Sequence, residues 1–145
     1  MVIPLQSNLV YGPVASRRLE ASLGVNPLPT SFKLCSFDCV YCQYGRTPKP
    51  PDSYSEKVFP SPEAVAGRLE ERLGECCEKG VEVDYVTFSG NGEPTLNPNF
   101  PKLVTLVDKI RRKYVPGSKL AILSNSTNVN IPGVCEALKK LDERI

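Results

Sequence analysis

No histidine occurs in the 145 residues, so a closed metal site of mixed cysteine and histidine ligands has nothing to draw on. No run approaches the roughly eighteen apolar residues that a membrane helix requires, which excludes a spanning helix and sets the expectation of a soluble, cytoplasmic protein without membrane partners. Neither sign of charge dominates: eighteen Lys and Arg stand against sixteen Asp and Glu, a net +2. No bulk argument for nucleic acid or a membrane surface follows, and any such partner must be argued locally. The first six residues lack the basic-then-apolar pattern of a secretory signal, which disfavours a disulfide framework. At this length, with 41% hydrophobic residues, the chain is at most one domain and can bury a core.

What is present is a concentration of thiols. Cys35, Cys39 and Cys42 fall in one short stretch, the last preceded by Tyr41. Thiolates separated by three and then two residues can turn inward from one loop, as three corners of an iron-sulfur cubane require. The fourth corner is left unfilled, and an open metal position is what chemistry needs. The residues alone leave other readings open: stray core thiols, a disulfide set, or a zinc site with Cys76, Cys77 or Cys135 as a distant fourth ligand.

The spacing, with an aromatic residue before the third cysteine, resembles the radical S-adenosylmethionine (radical SAM) superfamily. That resemblance implies a [4Fe-4S] cluster ligated by Cys35, Cys39 and Cys42. SAM is then chelated on the free iron through its amino and carboxylate groups, and its sulfonium is cleaved reductively to a 5'-deoxyadenosyl radical. It also implies Tyr41 beside the adenine and an electron donor such as flavodoxin or ferredoxin.

The rest of the chain reads as a setting for that loop. Residues 1–20 carry Pro4, Gly12 and Pro13 without a clean period and form an irregular lead-in, with a short strand near residues 9–11. A first strand over residues 21–26 is stopped by Pro27 and Pro29. Four prolines (Pro48, Pro50, Pro51 and Pro60) mark residues 43–60 as a long surface loop. Ser61, Pro62 and Glu63 open a helix with a cap, a first-position proline and an acid at the positive dipole end. Val65, Leu69, Leu73 and Cys76 share its inner face, and Gly80 ends it.

Residues 81–88 are expected as a strand covered on both sides. A second helix, capped near Asn97 or Asn99, turns Leu103, Val104, Val107, Ile110 and Tyr114 inward and residues 109 and 111–113 mainly outward. Residues 119–124 give a third strand. A last helix, capped by Asn130, buries Val134, Leu138 and Leu141. The order implies an α/β fold, a partial (β/α) barrel of about three parallel units with helices outside. Residues 21–145 are thus expected to be the N-terminal half of a radical SAM-type core, leaving the last strand's edge unpaired.

In parallel α/β architectures, ligands gather at the carboxyl ends of strands, so three loops are expected to converge. The second, Gly90, Asn91, Gly92, Glu93 and Pro94, resembles the superfamily's Gly-Gly-Glu-Pro motif, which implies a bond from Glu93 to the SAM ammonium. The third, Ser124, Asn125 and Ser126, resembles the segment that meets the SAM ribose or carboxylate. The runs around both motifs are most similar to radical SAM proteins related to tRNA wyosine-base synthases, which implies tRNA as a substrate. That subgroup carries further cysteines ahead of the core, and residues 1–34 contain none. Arg17, Arg18, Lys33, Arg46 and Lys49 flank the cysteine loop and are read as candidate phosphate contacts or solvated surface. Cys76, Cys77 and Cys135 read as small hydrophobes on helices. The competing readings are a non-catalytic iron-sulfur or zinc-binding module, or a truncated, inactive fragment whose barrel a partner or a missing C-terminal half completes.

Overall fold

The computed structural model describes residues 2–145. Two strands, β1 (Val10–Ser16) and β2 (Glu20–Val25), form an antiparallel hairpin. β3 (Tyr85–Phe88), β4 (Lys119–Ile122) and β5 (Glu143–Arg144) then add in parallel, giving an open sheet in the order β1-β2-β3-β4-β5. The crossovers are α1 (Pro62–Lys79), α2 (Phe100–Tyr114) and α3 (Pro132–Leu138). The fold is therefore the expected partial α/β barrel, with a mostly parallel sheet that does not close.

Alternation along the strands assigns the two faces. Leu23, Val86 and Leu120 are in register, as are Val25, Phe88 and Ile122, and these residues pack with Val65, Leu69, Leu103 and Val107 of the helices. Gly24, Thr87 and Ala121 form the neighbouring row on the opposite face, where the hydroxyls of Ser22 and Thr87 meet at 2.8 Å. One face is a hydrocarbon core; the other is partly polar, with a smaller apolar cluster of Leu19, Tyr85 and Ala121.

α1 begins where its signals lie. The Ser61 hydroxyl accepts from the Ala64 amide at 3.1 Å, Pro62 opens the helix, and Gly80 ends it in the left-handed region at φ 63°, a conformation that costs glycine little.

Several expectations are corrected. The lead-in is not irregular throughout, because seven residues of it form β1, five of them paired with β2. β3 is four residues long and not eight: residues 81–84 climb from the helix end, and the Asp84 carboxylate takes the Ala21 amide at 2.9 Å. β4 stops at Ile122, where the chain turns toward the site. The cap position of α3 is Ile131 and not Asn130, because the residue before Pro132 is held extended, and there is no side-chain cap because isoleucine offers no acceptor. Leu141 is buried but lies beyond that helix. The far edge of β4 is not unpaired, since β5 lies along it. Arg111 does not face outward: it is 6% exposed, with its guanidinium on the Asp108 carboxylate and the Ser118 carbonyl.

Candidate functional site

β2, β3 and β4 are parallel and in register, so the loops leaving their carboxyl ends share one rim of the sheet. Backbone pairing joins the first two loops. Leu34 donates to the Asn91 carbonyl at 2.8 Å, and the Glu93 amide donates back to the Leu34 carbonyl at 3.1 Å. This short parallel bridge fits because Gly92 has no side chain: at its φ of 140°, a Cβ would lie 1.8 Å from the Leu34 carbonyl oxygen. The motif glycine therefore sets how closely the cysteine loop approaches β3.

Asn91 is wholly buried and ties down the chain before the site. Its side chain accepts from the Gln6 amide at 2.8 Å and donates to the Gln6 and Pro29 carbonyls, each at 2.9 Å. Glu93 is 1% exposed, and its carboxylate is occupied by its own chain. Oε1 accepts from the Thr95 amide at 3.1 Å, the Thr95 hydroxyl at 2.6 Å and the Ser124 hydroxyl at 2.9 Å. Oε2 accepts from the Asn125 amide at 2.7 Å. An ionised carboxylate that accepts several donors at once is stable in a buried position, so Glu93 welds the second loop to the third.

The third loop in turn reaches the cysteines. Asn125 Nδ2 lies 3.0 Å from the Ser36 hydroxyl and 3.6 Å from Cys35 Sγ, and the Ser36 and Thr127 hydroxyls meet at 2.6 Å. Cys35, Cys39 and Cys42 are free thiols and half-buried. The Cys42 amide donates to the Cys39 carbonyl at 3.0 Å, and Gly45 repeats that turn on Cys42. Cys39, Tyr41, Cys42 and Arg46 border a hollow of about 630 Å³, while Cys35 faces Asn125. Burial pushes the Cys35 thiol up from its ordinary pKa, against the pull of the Phe37 amide and nearby Lys33. Lys33 is 4% exposed and donates to the Gly45 carbonyl at 2.7 Å, so its cation lies beneath the loop and ties its two ends together.

This donor set suits a cubane cluster. Three sulfurs come from one loop, a buried cation lies next to it, and a side-chain N–H faces one sulfur. Among the described residues no three metal-ligating side chains converge on one point, and a cubane does not ask for that, because each thiolate binds a different iron. The other cysteines are elsewhere: Cys76 lies in the helix-side core, Cys77 donates to the Tyr114 carbonyl at 3.4 Å, and Cys135 is on α3.

The structure thus brings Cys35, Gly92, Glu93, Ser124 and Asn125 together. Gly90 and Gly92 are half-buried at the rim, and Pro94 is buried behind it. Tyr41 is 83% exposed, and a hydrogen bond with Cys39 raises its phenol pKa. Ser126 is exposed and takes a left-handed turn at φ 67°. Arg17 and Arg18 do not flank the cysteines, since they precede β2 and so belong to the opposite rim, about 20 Å away by strand rise. Sequence reading missed Ser36, Thr95 and Thr127. Ordinary turn residues whose partners lie up to 91 positions away leave no local signal.

Comparison with known proteins places these features in a family. The family model of the Radical SAM superfamily matches residues 30–145. A UPF0026 protein of Methanocaldococcus jannaschii is 42% identical over 119 residues, covering 82% of this chain and 33% of that protein. A UPF0026 protein of Helicobacter pylori is 36% identical over 134 residues, covering 92% of this chain and 40% of that one. The chain thus spans between a third and two fifths of the length of these relatives. Among solved structures, that of TYW1 with a lysine-pyruvate adduct bound overlays 86% of this chain and 40% of that one, with a TM-score of 0.46 and 18% identity.

Proposed function

Because this chain belongs to the Radical SAM superfamily, we propose that Cys35, Cys39 and Cys42 hold a [4Fe-4S] cluster with one iron free for SAM, and that the protein acts in the reductive cleavage of SAM. When bound, the cluster supplies the electron that splits the sulfonium into methionine and a 5'-deoxyadenosyl radical. The observation that carries the proposal is the junction of the cysteine loop with residues 90–93 through Leu34, because it puts the superfamily's two motifs side by side.

The chain's own residues then have separate tasks. The three thiolates bind three irons and leave the fourth corner open. Gly90 and Gly92 offer backbone without side chains, and Ser124 and Ser126 offer hydroxyls, for the amino, carboxylate and ribose groups of SAM. Tyr41 and the exposed Phe37 and Val40 are apolar surface against which an adenine can lie and exclude water. Resemblance of the motif surroundings to wyosine-type enzymes supports a tRNA base as substrate, with Arg46 and Lys49 as the exposed cations beside the loop.

A second reading, a cluster-holding electron carrier, has one observation in its favour: the Glu93 carboxylate makes its bonds internally. One experiment separates the two. Protein reconstituted anaerobically with iron and sulfide and then reduced should convert SAM to 5'-deoxyadenosine and methionine in equal amounts, above the background of Cys42→Ala. Turnover should be slow, because an open sheet admits water, which weakens electrostatic contacts to the cofactor. A loaded, reduced cluster that leaves SAM intact and whose paramagnetic signal ignores added SAM contradicts the proposal and favours the carrier.

A further inference from the structure

We infer that Asn125 donates a hydrogen bond to the Cys35 thiolate that raises the reduction potential of the cluster, and that Glu93 is the positioning residue that aims it. This rests on the three cysteines being cluster ligands and gives Asn125 and Glu93 tasks other than holding SAM. Four contacts fix the Asn125 amide. Its Oδ1 accepts from the Thr127 amide at 3.0 Å and the Thr127 hydroxyl at 2.6 Å. Those donors require oxygen on that side, so the nitrogen must face the other way. There Nδ2 meets Ser36 Oγ at 3.0 Å and Cys35 Sγ at 3.6 Å. Neither of its hydrogens is left without an acceptor.

The backbone of Asn125 is held as firmly as its side chain. Its amide donates to Glu93 Oε2 at 2.7 Å, and Glu93 is pinned through Oε1 by Thr95 and Ser124. A buried carboxylate with that many partners cannot swing toward solvent without leaving donors unpaired. Glu93 therefore carries the register of the β3 loop to the atom that faces the sulfur. Hydrogen bonds to ligand sulfurs stabilise the more negative, reduced cluster and so raise its potential. A one-electron reduction by a viologen at fixed poise reads that effect directly.

The test is a redox titration of reconstituted protein, with iron content measured on each sample. Asn125→Leu keeps the backbone amide for Glu93 and removes the N–H from the sulfur. It is expected to lower the ratio of reduced to oxidised cluster about tenfold at a given poise, ~59 mV for a one-electron couple. Asn125→Asp keeps the acceptor for Thr127 and sets an anion beside the sulfur, so its ratio should fall further. It is also the isosteric variant, and it is read alone if the leucine variant loses iron. Glu93→Gln loosens the Asn125 amide but also removes a carboxylate whose charge reaches Cys35, two effects of opposite sign, so it is read in two backgrounds. In Asn125→Leu only the charge effect remains, and the midpoint should move further upward there than in the parent. A merely structural role would lower iron content or melting temperature and leave the midpoint of the loaded fraction unmoved. Fully loaded asparagine variants with the parent's midpoint overturn the inference; an equal shift of Glu93→Gln in the parent and in the Asn125→Leu background removes Glu93 from it. A parent chain that takes up no cluster overturns the underlying reading and this one with it.

Discussion

Gly92 and Asp108 show how much single residues contribute, one inside the site and one far from it. Gly92→Ala would drive a methyl into the Leu34 carbonyl at a φ of 140°, so at least about 2 kcal/mol of stability should be lost. Chemical denaturation measures that loss, and iron retention should fall with it because the cysteine loop hangs on this bridge. Burial opposes ionisation of Asp108, but hydrogen bonds from Arg111 and Arg112 outweigh it and hold its carboxyl below the ordinary carboxylate range. Its stabilisation is therefore complete above the unfolded value, about 3.9, and lost as pH falls through the lowered folded value. Asp108→Asn should cost roughly 1.5–3 kcal/mol at neutral pH, the worth of hydrogen bonds to a charged group, and should flatten the acid limb of the stability curve below about pH 4. Equal acid limbs in the two proteins would remove Asp108 from this role. At this scale the sequence was legible where chemistry is local: three thiols and their spacing announced the loop. The burial of Glu93 was not legible, because its partners Ser124 and Asn125 stand 31 and 32 residues away on another loop.

Elements with signals at both ends could be read from the sequence, and those held by tertiary pairing could not. α1 carried a serine cap, a first-turn proline and a glycine stop, and its bounds follow them. Ser61→Ala should destabilise the protein by about 1 kcal/mol while leaving iron loading unchanged, because the cap lies on a helix that packs against α2 and β1 and contributes no cysteine of the loop. Loss of iron in that variant would show that the helix and the loop are coupled. β5 is two residues long and is defined by its bonds to β4, so no alternation in its own sequence could reveal it. β1 escaped for a related reason: Gly12 and Pro13 interrupt its pattern, and its register with β2 shifts between Tyr11 and Val14. Of the strands that carry the site, β3 was legible from its branched and aromatic residues, and β2 from its alternation and the prolines that stop it.

The whole molecule is an open, mostly parallel sheet whose helices cover one face and whose three loaded loops share one rim. Among the described residues no helix is long and apolar enough to cross a membrane. The near-balanced charge gives no long-range pull toward polyanions, so affinity for a nucleic acid would have to come from a few cations near the rim. The central claim is that three thiols of one loop, and not the cysteines of the helices, hold a four-iron cluster. Iron and sulfide counted per chain after anaerobic reconstitution test this most directly. The expected result is close to four irons in the parent and in the Cys76→Ala, Cys77→Ala, Cys135→Ala triple variant, with loading lost in Cys39→Ala. Full loading in Cys39→Ala, or loss of iron on removing the three helix cysteines, would contradict it.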